Sequence, residues 1–164
     1  GGGPDQRHNR IRDEVAKWLG EQGHESIDTE VWVPEWGCLA EDGSWDDVRL
    51  DVSFRSEDLQ LYVDVVVASP ASADEARAVR TATQDGAAGA AAEHRKRRRY
   101  PSAAMTPLAV ETLGRLGGAA QAFAKRWATR VPDKRAAAIT SLYRRIAAAL
   151  QQHNGDMLRS AVAG

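Results

Sequence analysis

At 164 residues with 43% hydrophobic and 27% charged side chains, the chain is long enough for one ordinary globular domain with its own core. No apolar run reaches the roughly 20 residues of a membrane span, and the single cysteine, Cys38, excludes an intrachain disulfide and a Cys-rich zinc site. The net charge of -1 favours no class of partner, but it is unevenly spread: residues 28–75 are rich in Asp and Glu, and 94–99 read His-Arg-Lys-Arg-Arg-Arg.

Gly1 to Gly3 read as a leftover of cloning or cleavage, and no signal-peptide-like apolar stretch follows. A reducing, intracellular compartment is expected. Asp5 can cap a first helix whose apolar stripe is Ile11, Val15, Trp18 and Leu19, with Gly20 and Gly23 ending it. Residues 30–36, "EVWVPEW", predict a short strand, with Pro34 marking an edge or an end. "GCLAEDGSW" reads as a polar loop. Residues 48–54 and 59–68 predict an antiparallel hairpin, its second strand apolar enough for the centre of a sheet. Helix is expected across 71–99, interrupted near Asp85-Gly86 and ending before Pro101. A strand at 106–114 and helices at 117–130 and 133–152 complete the order, the last with Ile139, Leu142, Tyr143, Ile146 and Leu150 on one face. The expected class is an α/β sandwich with a small mixed sheet, an αβββαβ core at 4–131 and a helical extension at 132–164 packed on the same domain. No membrane association is expected.

Each strand of the hairpin contains one aspartate among apolar neighbours: Asp51 between Leu50 and Val52, Asp64 between Val63 and Val65. Aspartate is poor in strands and costly to bury unpaired. On adjacent strands the two can approach closely, which is unfavourable unless they are protonated or share a cation. Mg²⁺ or Mn²⁺, taking one or two carboxylates plus water and phosphate oxygens, suits such a pair. Alternatively, Asp51 pairs with Arg49 or faces solvent. In "AAEHRKRRRYP", residues 91–101, Lys96 and Tyr100 lie four apart and share a helix face. The block reads either as a solvated helix end whose cations suit the macrodipole, or as a lysine aimed at the carboxylates, with Arg95, Arg97, Arg98 and Arg99 contacting nucleic-acid backbone.

An aspartate on one strand, a strand reading "YVDVVVASP", an Ala-rich helix carrying "KRRRY", and then "PLAVETLG" together resemble the PD-(D/E)xK nuclease superfamily. Within it, the pattern is most similar to the restriction-like endonuclease domains of site-specific non-LTR retrotransposons. The opening "RHNRIRDEVAKWLGEQG" resembles that family's first helix with its leading histidine. The resemblance spans about residues 7–128. It implies a restriction-endonuclease-like fold and Mg²⁺- or Mn²⁺-dependent nicking of a DNA target. Asp51 would be the first metal ligand, Asp64 the second acid, Lys96 the migrated catalytic lysine, and Tyr100 the close of that motif. It also implies a reverse transcriptase on the same parent polypeptide and a nuclear location. Leu50 stands where a proline is usual and Val66 where a lysine is usual, so the catalytic amine has to come from Lys96.

Further candidates flank these. Glu30 can add a carboxylate to the metal site or remain solvated at a strand edge. His8 can contact phosphate or assist water. Glu14 is a candidate extra carboxylate, Glu111 can cap or pair with a basic helix, and Trp45 can stack on a splayed base or pack under its loop. A monomer would nick one strand and a homodimer could cut both. The competing class is the same fold with an impaired site, binding DNA or protein without cutting.

Overall fold

The computed structural model describes residues 4–39, 42–69 and 86–162. Helix α1 (Pro4–Glu21) starts with a proline, whose missing N–H is one the first turn would leave unpaired anyway. Asp5 therefore falls inside the first turn and not before it. The stripe of Ile11, Val15, Trp18 and Leu19 is fully buried. Gly23, at φ 88°, ends the helix in a paired turn: its N–H reaches Gly20 O at 3.0 Å, and the His24 N–H reaches Leu19 O at 3.2 Å. That left-handed position suits a residue without Cβ.

The chain continues as β1 (Glu25–Trp32), a 3₁₀ turn (Pro34–Trp36), β2 (Cys38–Leu39), β3 (Trp45–Asp46), β4 (Arg49–Ser56), β5 (Leu59–Ala68), α2 (Ala87–Arg99), β6 (Met105–Glu111), α3 (Gly118–Trp127) and α4 (Pro132–Val162). Four strands form a mixed sheet in the order β1-β4-β5-β6, and β2 and β3 form a separate two-stranded ribbon. Strands β1, β4 and β5 run antiparallel in turn, and β6 lies parallel to β5. The β4–β5 turn is Glu57-Asp58, both at positive φ (51° and 64°), a two-residue hairpin whose twist matches its strands. Pro107 sits in β6, an edge strand, where a missing N–H is tolerated.

Three expectations shift. The first strand spans 25–32, not 30–36, and Pro34 opens the 3₁₀ turn. Its start is hard to read because β1 is a mostly exposed edge with a bulge between Glu25 and Asp28 and positive φ at Ser26 and Glu30, which breaks the period-two pattern. Within the expected polar loop, Leu39 pairs with Trp45 and Cys38 with Asp46. The last helix runs ten residues beyond 152, to 162. Residues 71–85 of the expected 71–99 helix lie outside the described residues, and α2 accounts for 87–99.

One face of the sheet carries the main core: Val52, Phe54, Val63, Val65, Leu108 and Val110 pack against α1, α3 and α4. Trp18 Nε1 donates to Ala138 O at 2.8 Å, tying α1 to α4, while Leu142, Ile146 and Leu150 of α4 enter the same core. Among the described residues no helix is long and apolar enough to cross a membrane.

Helix α2 covers the other face, and small residues allow it to sit close. Ala88 and Ala92 pack on Ala68 and Ala109, and Lys96 follows at the same four-residue spacing, so it too points at the sheet. Two carboxylates fix the helix ends. Glu111 Oε1 accepts from the Gly89 N–H at 3.0 Å in the first turn of α2, and Glu93 Oε1, on α2, accepts from the Ala119 N–H at 2.9 Å in the first turn of α3. Both satisfy donors that a helix start leaves unpaired. Glu111→Ala and Glu93→Ala should each lower stability by about 1 kcal/mol in urea unfolding, with faster amide exchange at Gly89 and Ala119 respectively.

Candidate active site

The site forms where the hairpin comes apart. The β4–β5 ladder runs from Ser56–Leu59 to Val52–Val63, and beyond it Asp51 occupies the gap with its side chain. Asp51 Oδ2 accepts the Val65 N–H at 2.6 Å, taking the place of a backbone carbonyl of β4. His8, in the second turn of α1, fills the other half: its Nε2 lies 3.0 Å from Asp51 Oδ2 and 3.2 Å from Val65 O. Both partners are acceptors, so Nε2 carries a hydrogen.

Asp64 lies on the opposite face of β5 from Val63 and Val65, and is only 5% exposed. Its Oδ2 meets Lys96 Nζ at 2.6 Å. Apart from that ion pair, Oδ2 has no hydrogen-bond partner of good geometry among the described residues. The two aspartates act on each other, and their pKa values are driven apart. Burial pushes Asp64 up from 3.8 to about 6, with the charge of Asp51 adding to the rise and Lys96 opposing it. Burial also penalises the Asp51 anion, but the hydrogen bond and charge of His8, with Asp64 and the Val65 N–H, outweigh it and hold Asp51 below the usual range. His8 is raised, first by its hydrogen bond to Asp51 and against its own burial. A proton taken up by the pair therefore rests on Asp64 and not on Asp51.

Asp51, Asp64 and Lys96 are therefore brought together from β4, β5 and α2. The other expected residues are placed differently. His8, expected on phosphate, is bound to Asp51 instead. Tyr100, expected as a catalytic residue, is 6% exposed and packs with Val33, Val48, Leu50 and Met105. Its ring centroid lies 6.0 Å from Lys96 Nζ and 5.2 Å from Arg99 Cζ, so the ring packs beside both cations. Glu30, expected as a third ligand, has both oxygens engaged: Arg12 Nη1 at 3.0 Å and Arg49 Nη2 at 2.6 Å. Its backbone, at φ 56°, turns it toward these arginines, at a cost on the order of 1 kcal/mol. Glu14 faces α4, where Arg145 Nη1 is 3.4 Å away. Arg95, Arg97 and Arg98 are exposed and form no ion pair with the described residues. Arg99 is held by Asp46 at 2.8 Å.

Sequence reasoning passed over Arg12, whose guanidinium feels the charges of Asp13, Glu30 and Asp51. Its spacing four residues after His8 was the available signal, since both then share one helix face. Among the described residues no group of three or more His, Cys, Asp or Glu is arranged to hold a metal. The donor set is two hard carboxylates, which fits Mg²⁺ or Mn²⁺ completing its shell with water and phosphate oxygens, and does not fit zinc.

Because folding raises Asp64, the folded state holds that proton more tightly than the unfolded chain does. The stability it contributes is fully present below about pH 4 and is lost as pH rises through about 6. Urea midpoints should therefore show a decline over this window that is absent in Asp64→Asn. Lys96→Met should move the Asp64 carboxyl titration, followed by carbon NMR, above its wild-type position near 6, since the ammonium holds it down. No protein-family model matches the chain, and no curated protein sequence matches it.

Proposed function

We propose that the chain is a restriction-endonuclease-like domain of the PD-(D/E)xK kind that hydrolyses phosphodiester bonds in DNA, nicking one strand per site. The observation that carries this reading is the meeting of Asp51, Asp64 and Lys96 at the open end of the hairpin, with Lys96 Nζ 2.6 Å from Asp64. With the β2–β3 ribbon set aside, the main sheet and its helices follow a helix, three strands, helix, strand order, which supports the fold assignment.

A divalent cation held by Asp51 and Asp64 would supply Lewis acidity to a phosphate oxygen and to water. The chain's own residues do the rest. Lys96, pinned by the Ala88–Ala92 stripe and braced by Tyr100, orients the attacking water and offsets negative charge as it builds on phosphorus. His8 and the Val65 N–H keep the Asp51 carboxylate ionised and fixed in direction. The exposed Arg95, Arg97 and Arg98 hold backbone phosphates on the outer side of α2. Hydrolysis then delivers hydroxide to phosphorus and a proton to the departing sugar oxygen. The retroelement resemblance extends the proposal to target-site nicking beside a reverse transcriptase on the same polypeptide, in a nuclear setting.

One observation favours a second reading, a domain that binds DNA without cutting: each carboxylate already has a nitrogen partner from the chain itself, His8 on Asp51 and Lys96 on Asp64. Plasmid nicking separates the two. The wild type should nick supercoiled DNA with Mg²⁺ or Mn²⁺ and not with EDTA. Asp64→Asn should abolish nicking, and Lys96→Met should slow it by about 10²–10³-fold. Binding indifferent to EDTA, without nicking, would establish the binding module. In either case, replacing Arg95, Arg97 and Arg98 with Ala should flatten the salt dependence of duplex binding by about 0.9 log unit per lost phosphate contact.

A further inference from the structure

Next to Lys96, where the end of α2 meets the 3₁₀ turn, a cavity of about 270 Å³ is lined by Trp36, Arg99, Tyr100, Pro101 and Ser102. Its walls are flat and prearranged. Trp36 is set edge-to-face on Tyr62, with ring centroids 5.1 Å apart. Arg99 lies with its Cζ 5.2 Å from the Tyr100 ring centroid, and its Nη2 is fixed 2.8 Å from Asp46 Oδ2. Ser102 Oγ accepts from the Ala104 N–H at 3.2 Å, which leaves the hydroxyl proton free to donate.

We propose that this cavity receives one unpaired nucleobase of a DNA strand whose phosphate meets Asp51 and Asp64, so that the preferred substrate carries an unpaired nucleotide beside the cleavage point. The inference rests on the nuclease reading for its placement, because Tyr100 joins the two sites: its ring lines the cavity and sits 6.0 Å from Lys96 Nζ. Charge selects the occupant. Asp46 neutralises Arg99, so the cavity offers aromatic and guanidinium faces with little net charge, which suits a neutral planar base and not a phosphate. Every base has a π-face for such walls, and the Ser102 hydroxyl can donate to a ring nitrogen or an exocyclic oxygen. A base inside a duplex is stacked on both sides and cannot enter unless it is extruded. A bulge, flap or single-stranded junction presents one at little cost.

The test is fluorescence anisotropy with the full chain in EDTA, comparing a paired duplex with the same duplex carrying one bulged thymine. The wild type should bind the bulged duplex about tenfold more tightly, as expected for one stacked base. Trp36→Ala should erase the preference while keeping affinity for the paired duplex, and Trp36→Phe should restore it. Ser102→Ala should reduce it about threefold, which keeps the test decisive if Trp36→Ala fails a thermal unfolding check. Equal binding of the two duplexes by the wild type, or a preference undiminished in Trp36→Ala and Ser102→Ala, would overturn the proposal. A retained preference without metal-dependent nicking by the wild type would sink the nuclease reading and leave base capture standing.

Discussion

The structure turns on a carboxylate used as a piece of backbone. Where β4 leaves β5, the ladder would expose the Val65 N–H and C=O in a half-buried place, which folded chains rarely tolerate. Asp51 accepts from the N–H and His8 Nε2 approaches the carbonyl at 3.2 Å, so a helix and two strands meet at one residue. That arrangement explains the aspartate in an apolar run: it stands just past Val52, where β4 ends its pairing with β5. The separation also gives Asp64 a partner at its side, while α2 brings an ammonium over it.

The electrostatics follow from this geometry. Two acids this close cannot both ionise cheaply in a buried setting, and the chain resolves the conflict asymmetrically. Asp51 has His8 and a backbone donor and remains an anion, whereas Asp64, buried beside that anion and facing Lys96, holds its proton to about pH 6. Glu30 stays out of this balance, with Arg12 and Arg49 as its own ion-pair partners.

Much of this was legible because it rests on spacing. The α1 stripe, the hairpin, the apolar face of α4 and the shared face of Lys96 and Tyr100 all follow from periods of 3.6 or 2. The two aspartates stood out because charge inside an apolar run is expensive. What could not be read was direction. Tyr100 shares a face with Lys96, yet spacing does not tell a ring that packs on Leu50 and Met105 from one that offers its hydroxyl. Glu30 turns on a left-handed backbone that no pattern announces, and β1 begins under a bulge in polar sequence. His8 was recognisable as a candidate, but its partner lies 43 residues away, beyond the reach of local pattern.

Gly117 carries a consequence of its own. Its φ of -63° is available to any residue, so conformational freedom does not account for a glycine there. The space does: a Cβ at this position would overlap the Glu93 carboxylate and press on Ala109. A methyl group there would push the Glu93 carboxylate off the Ala119 N–H and leave the start of α3 uncapped. Any side chain at position 117 would therefore be felt first as a loosened joint between two helices.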